Sequence, residues 1–258
     1  MRLRVLALSL ELAVPAALVA GWWLWTTTHD SFFFPPVPDI LRSFADTWVF
    51  ERIGSDVGPS LKRLSIGFCA AAVVAVTVGV LLGQSSFARR AANPIIEFLR
   101  AIPPVALLPF GILVIGIGDT MKIAIIATVC LWPILLNTVD AVASLDPTLE
   151  ATTRVYGVRG FERLRRVVLP AAAPQIAAGL RTSLSLSLIM MVVSEMVAST
   201  NGIGYFILQS QRTFAIPEMW SGILLLGFLG YVLNLIFVLL EQRFLRWHRG
   251  ARATSQAV

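Results

Sequence analysis

The residues able to do chemistry in this chain fall into two small sets. Ser183, Ser187, Ser194 and Glu195 lie near one helical face of an apolar run, with Arg181 ahead of them. Residues 150–170, EATTRVYGVRGFERLRRVVLP, hold five arginines in a chain that is 57% hydrophobic and only 14% charged. The first set can offer hydroxyls and one carboxylate to a passing solute, and the second can offer a docking surface or an arginine-rich anchor on anionic lipid. Neither supplies a nucleophile with its base. Cys69 and Cys130 have no CxxC spacing and read as buried small residues, and two histidines and two cysteines do not converge on an enzyme site. Glu97, Asp140 and Glu195 are too scattered to suggest an ion-coupling site. No catalytic residue, metal ligand or bound cofactor is therefore assigned.

The elements that must position these residues are membrane spans. Mean hydropathy is +0.78 and the apolar residues come in runs of about twenty, the length of helix that crosses a bilayer. The fold class is an all-α integral membrane protein, a single domain over 1–258. Six spans are expected, at Val5–Trp25, Leu61–Leu82, Ile95–Ile117, Met121–Val142, Ile176–Ser199 and Met219–Leu240. The first reads as an uncleaved anchor, because its stretch is long and Leu18/Ala20 is a poor cleavage pair.

Basic residues orient the chain, since Lys and Arg beside spans favour the cytoplasmic side. With the N-terminus inside, Arg2, Arg4, Arg89, Arg90, Arg100, the five arginines of 150–170, Arg243, Arg246, Arg249 and Arg252 are cytoplasmic. Only Arg42, Arg52, Lys62, Arg63, Lys122 and Arg212 fall at the outer side. Both termini are then cytoplasmic and His29 and His248 lie on opposite sides, unable to share a metal within one chain. The net charge of +6 is a topology signal and not a nucleic-acid footprint.

Segment 26–60 is the sizeable outer piece. Its prolines stop a continuing helix, and Asp39 is expected to cap a short one with Ile40, Leu41, Phe44 and Trp48 on one side, an anchor at the membrane surface in preference to a ligand-contacting element. Pro103, Pro104 and Pro109 interrupt the third span, either as a packing kink or as a broken helix beside a transport route. GVLLG at 79–83 is a candidate dimer face. The serines of the fifth span either line a route or permit close packing. Glu195 either sets an outer gate or bonds a neighbouring helix or the 201–205 turn, where Gly202 and Gly204 let the chain re-enter.

The loop 143–175 is more organised than a connector. Asp146 is a good N-cap, Pro147 suits the first helical position and Gly157 can end the helix in the left-handed conformation. After Gly160 a second short helix puts Phe161, Leu164 and Val168 on one face and Arg159, Arg163 and Arg166 on another, with Glu162 at pairing distance from Arg165 or Arg166. Pro170 and Pro174 mark entry to the fifth span.

This loop resembles the cytoplasmic motif of permease subunits of binding-protein-dependent ABC importers, which reads Glu-Ala-Ala, three residues, Gly, nine residues, Ile, one residue, Leu-Pro. Gly157, Val167, Leu169 and Pro170 fall at the last four positions with the gaps intact. The acidic end departs: Ala151, Thr152 and Thr153 stand at the Glu-Ala-Ala positions and Glu150 lies one residue early. FPPVPDIL, LRAIPPVALLPFGILVIGIGD, WPILLNTVDAVASLDP and SEMVASTNGIGYFI extend the similarity along most of the chain, towards the branch importing aliphatic sulfonates, taurine, nitrate or pyrimidine precursors. The resemblance implies two ABC ATPase subunits that bind ATP and Mg, an extracytoplasmic substrate-binding protein, a second permease chain of the same kind with the pathway between the copies, and a bacterial cytoplasmic membrane. It places the ATPase coupling on Glu150, Ala151, Thr152, Thr153, Arg154, Tyr156, Gly157, Val158, Arg159 and Gly160. Consistent with a separate ATPase, the chain holds no GxxxxGK[ST] loop; its lysines are Lys62 and Lys122. A secondary transporter driven by an ion gradient is the alternative.

Overall fold

The computed structural model describes residues 2–29 and 31–245; for residues 2–12, 15, 50 and 51 only the backbone is described. The regular elements among the described residues are all helices. Four are long and apolar enough to cross a membrane: Ile53–Gly83, Asp119–Ala143, Gly160–Ala198 and Ile216–Phe244, and a bent pair makes a fifth. The first expected span falls on α1 (Arg2–Thr28). The expected cytoplasmic residues Arg246, Arg249 and Arg252, and His248, lie outside the described residues, as do the side chains of Arg2 and Arg4.

The helices divide into two compact units, 1–59 with 201–227 and 60–200 with 228–258. In the first, α1 is followed by α2 (Val37–Phe44). Pro36 takes the N-cap position and Asp39 lies in the first turn with no side-chain cap bond, which corrects the expected cap. The physical reason is that Pro38 fits the first turn, where its missing N–H has no partner to lose, so the helix starts before Asp39. The apolar side of this segment is divided: Ile40 of α2 and Trp48 beyond it are buried, while Leu41 is exposed. The Trp48 indole N–H donates to Ser221 Oγ at 3.1 Å, and Trp220 donates to Phe33 O at 3.0 Å. Wide helical turns at 45–51 and 53–57 carry the chain to α3 (Gly58–Gly83).

In the second unit α6 (Asp119–Ala143) is the central helix, with twelve buried residues. It packs on α3 through Gly67, Ala71, Ala75, Gly79 and Gly83, a buried ridge of small residues at every fourth position. A Cβ at Gly67 would lie 2.8 Å from Ile126, at Gly79 2.7 Å from Thr138 and at Gly83 2.6 Å from Val142. The glycines of GVLLG thus face α6 of their own chain, while Leu81 of the same segment stays exposed. On its other side α6 meets α9 (Leu169–Ala198), where a Cβ at Gly179 would lie 2.9 Å from Asn137 Cβ and from Pro133 O.

The third expected span is not one helix. α4 (Ser86–Ala101) begins earlier than expected, with the Ser85 hydroxyl accepting from Ala88 N–H, and stops before Pro103. A single turn at Pro104–Ala106 and α5 (Leu107–Ile115) follow, bent by 75°. Pro103 and Pro104 cause the break by removing consecutive donors and pushing the preceding residue out of helical space. Pro109 causes none, because it sits in the first turn of α5.

α7 (Pro147–Val155) and α8 (Gly160–Arg163) form the loop, and the second short helix does not end. It runs through a π turn at Leu164–Val168 into α9, one rod of 39 residues. Pro170 explains the π turn: it cannot donate to the residue four back, and the wider turn, with Leu169 N–H bonded to Leu164 O, makes room for its ring. A rod of that length measures about 58 Å, well beyond the roughly 30 Å of a bilayer's apolar core. α10 (Ile203–Arg212) and α11 (Ile216–Phe244) are the last helices among the described residues.

The α3–α6 contact predicts that Gly83→Ala lowers stability by about 1–3 kcal/mol through overpacking. Gly227→Ala, with nothing within 4 Å of its Cβ, leaves stability unchanged or raises it. Thermal unfolding of the detergent-solubilised protein measures both.

Candidate functional site

Local chemistry builds the 147–160 element from the N-cap onward. Asp146 Oδ1 accepts from Thr148 N–H at 2.8 Å and Pro147 occupies the first turn. At the other end Val158 N–H bonds Thr153 O at 3.0 Å and Gly157 N–H bonds Arg154 O at 3.2 Å, the paired bonds of a Schellman cap. That cap requires the left-handed backbone Gly157 adopts, φ +67°; Gly160 restarts the helix with φ +56°. Thr153 is buried, its hydroxyl donating to Glu150 O, whereas Ala151, Thr152, Arg154, Tyr156, Gly157, Arg159 and Gly160 are exposed and Val158 is half-buried. Val155, 84% exposed beside Tyr156 at 78%, joins this surface and was missed because its type alone suggests a core residue.

Glu150 points back into its own chain. Its carboxylate accepts from Arg163 Nη2 at 2.6 Å and lies 3.9 Å from Arg154 Nη2, so it braces α7 against the start of the rod. Glu162 pairs with Arg166 at 3.4 Å. Phe161 departs from its expected face and is exposed, while Val168 enters a buried cluster with Val80, Ala141, Val142, Ala172 and Ile176. Leu145 and Leu164 pack against that cluster. The element is rooted in the helix core at both ends.

The serines expected beside a route are buried instead. Ser183 Oγ donates to Cys130 O at 2.8 Å and Cys130 Sγ returns a 3.4 Å bond to Ser183 O, lacing α9 to α6. Ser187 and Ser194 donate to Leu184 O and Met191 O of their own helix. All three are at 0% exposure, so of the two readings left open by the sequence the geometry favours close packing. The open side of α9 is a different stripe, Ala171, Gln175, Ala178, Thr182, Ser185 and Ile189, at alternating spacings of four and three. The sequence signal was present in those spacings, but nothing in them says which side meets α6.

Glu195 bonds a neighbouring helix. Its carboxylate accepts from Arg63 Nη1 at 2.7 Å and from Ser60 Oγ at 2.8 Å, with donor and acceptor all buried. Arg63 Nε donates to Asp119 Oδ1 at 2.7 Å, and Lys122 Nζ lies 3.8 Å from the same oxygen. Two cations and two anions from α3, α6 and α9 thus compensate one another, which is what makes their burial tolerable in an apolar protein. Of the four, Asp119 is the half-exposed member, its side chain 49% accessible. Arg63, Asp119 and Lys122 escaped the sequence reading as a group because each lies at a span end, where a charge is ordinary.

In the other unit Gly202, φ +114°, turns its N–H to Asp56 Oδ1 at 2.8 Å. Arg52 and Ser55 also donate to the Asp56 carboxylate, which is buried. Gly204 falls within the first turn of α10 and is buried there. Cys69 is exposed, not buried as expected, and Cys130 is buried; both thiols are free.

Comparison with known proteins agrees with this architecture. The profile of the family described as "Binding-protein-dependent transport system inner membrane component" matches residues 75–249. The nitrate import permease protein of Synechocystis sp. is 31% identical over 234 residues, covering 88% of this chain and 85% of the relative. The taurine transport system permease protein of Escherichia coli is 28% identical over 251 residues, covering 93% of this chain and 90% of the relative. In fold, a chain of the MetNI methionine ABC transporter in an inward-facing conformation superposes with a TM-score of 0.66 at 20% identity, over 73% of this chain and 94% of that one.

The buried charge cluster makes a stability prediction. Arg63→Met alone strands the Glu195 carboxylate and is expected to cost about 3–5 kcal/mol, whereas Arg63→Met with Glu195→Met recovers a large part of the loss. A double-mutant cycle on denaturant unfolding in detergent reads the coupling, and additive losses would show the two groups to be independent.

Proposed function

We propose a function from a plain premise: this chain belongs to the family of inner membrane components of binding-protein-dependent transport systems. It is the membrane-spanning permease subunit of an ABC importer. The proposal adds how it is coupled, what it carries and with whom it assembles.

Two identical copies form the pathway between them, and each presents its 147–160 element to one ABC ATPase subunit. ATP and Mg bind to the ATPases, and hydrolysis is theirs. Both termini and the 147–160 element are cytoplasmic, in a bacterial inner membrane, and an extracytoplasmic binding protein delivers the solute to the opposite face. The observation that carries the coupling is the rigid path from Tyr156 to the spans. A capped helix, braced by the Glu150–Arg163 ion pair, is joined by a short glycine turn to one rod that starts at Gly160 and reaches Ala198. A push on the exposed surface of Arg154, Val155 and Tyr156 is therefore delivered to α9 instead of being lost in a loop. Since Glu150 is engaged inside the chain, the docking surface is that exposed patch, and the Glu150 carboxylate shapes it from behind.

The pathway face follows from burial. A residue at 0% exposure inside one chain cannot line a route between two chains, so Ser183, Ser187, Ser194 and Glu195 build the wall and the stripe Gln175, Thr182 and Ser185 faces the solute. Polar side chains exposed on a spanning helix call for water or a partner protein and not for lipid. The solute class is a small anion, such as nitrate, taurine or another sulfonate, on the strength of the named relatives. Selection among these belongs to the external binding protein.

Two outcomes are expected. Coexpressed with the neighbouring ATPase and binding-protein genes, the chain retains the ATPase on copurification, while Gly157→Pro and a scrambled 152–160 segment insert normally but lose it. Equal retention by all three would remove residues 152–160 as the docking element. In a background with Cys69→Ala and Cys130→Ala, cysteines at 182 and 185 react with a membrane-impermeant thiol reagent and the reaction slows when substrate and binding protein are present; cysteines at 183 and 187 stay unreactive. The reverse pattern would return the pathway to the buried serines.

A further inference from the structure

Between the start of α9 and the end of α11 lies a groove of about 550 Å³. Pro170, Ala173 and Ala177 form its floor, and Phe237, Leu240 and Phe244 form its far wall. It exists because Leu169-Pro-Ala-Ala-Ala-Pro offers almost no side-chain bulk where α11 passes, so large residues on α11 stand off from small ones on α9. Leu240 and Phe244 remain 49% and 64% exposed, leaving the groove open along its length.

Its lining is apolar apart from Arg165, near the start of the rod, and Glu241, which stands farther along beside Arg181. Glu241 is engaged: it accepts from Arg181 Nη2, and that guanidinium in turn lies 5.9 Å over the Phe237 ring. Arg165 makes no ion pair among the described residues, because the acids nearest in sequence are already used, Glu162 by Arg166 and Glu150 by Arg163. The result is an apolar slot between two membrane-spanning helices with one uncommitted guanidinium at its mouth, beside a cluster of further arginines. An acyl chain satisfies the slot, and a phosphate satisfies the guanidinium through paired N–H···O bonds.

We propose that this groove is a binding site for an anionic phospholipid, with an acyl chain along Ala173 and Ala177 and the phosphate on Arg165. Charge complementarity selects this occupant over a neutral lipid. The site adjoins the π turn of the rod that joins α8 to α9, so an occupied groove stiffens the stretch through which movement of the 147–160 element reaches the spans.

The test uses the full chain purified in mild detergent, delipidated, mixed with equal amounts of phosphatidylglycerol and phosphatidylcholine, and examined by native mass spectrometry. Retention of phosphatidylglycerol over phosphatidylcholine by about fivefold is expected, the effect of one interfacial arginine. Arg165→Gln should abolish the preference while leaving some lipid bound. Ala173→Phe with Ala177→Phe should abolish retention of both lipids; Ala177→Leu, a milder filling, should weaken it in a protein whose thermal midpoint stays within a few degrees of the parent. No preference in the parent chain, or an unchanged preference in Arg165→Gln, overturns the proposal. So does lipid retention that appears only after truncation at Leu245, which would make residues 246–258 the occupant.

Discussion

The closeness of α3 to α6 is the constraint on which the second unit depends. Gly67, Ala71, Ala75, Gly79 and Gly83 repeat at every fourth residue and let two backbones approach until a single added methyl would overlap Ile126, Thr138 or Val142. In hydrocarbon there is no hydrophobic gain from bringing helices together, since lipid is as apolar as leucine, and dense van der Waals contact has to do that work. α9 repeats the solution on the other side of α6 with Gly179 and the serine hydroxyls. Three helices locked at this distance then bring Ser60, Arg63, Asp119, Lys122 and Glu195 within reach of one another. Were the ridge bulkier, the carboxylate of Glu195 and the guanidinium of Arg63 would be separate buried charges and each would be prohibitively costly.

The same lock roots the 147–160 element in the helix core. Its two ends leave α6 and enter α8, and the cluster of Val80, Val142, Val168, Ala172 and Ile176 fastens both to α3 and α9. Inside the element every device serves rigidity: a carboxylate at the N-cap, a threonine buried beneath the helix, a glycine cap and an ion pair across the turn. Under the proposed coupling to a separate ATPase this stiffness matters, because a flexible loop would absorb the displacement before the spans felt it.

Much of this was legible from residue order. Span lengths follow from apolar runs, and five of the expected spans fall on observed helices, though α9 starts well before its expected residue and the third span is broken. The start of α7 at Asp146-Pro147 and its stop at Gly157 were legible, because Asp-Pro and Gly act through their own backbone and need no distant partner. Where the reading departed, tertiary contact had the deciding vote. The glycines of GVLLG turned to α6 of their own chain and Glu150 found Arg163 across a turn, whereas Asp39 lost the cap locally, to the prolines ahead of it.

What the sequence alone determined is therefore what short-range physics controls: hydrophobic length, the start and stop of helices, the direction implied by the arginines, and a spacing of Gly, Val, Leu and Pro that carries the family resemblance. Which side of a helix is inside was decided only by the tertiary structure. On α9 two stripes one residue apart, Ser183 with Ser187 and Thr182 with Ser185, have nearly the same composition. One is sealed against α6 and the other is open, because the Gly179 contact fixes the rotation of the helix about its axis. Periodicity fixes the angle between stripes but not their orientation, and orientation is set by steric fit to a neighbour far away in the chain.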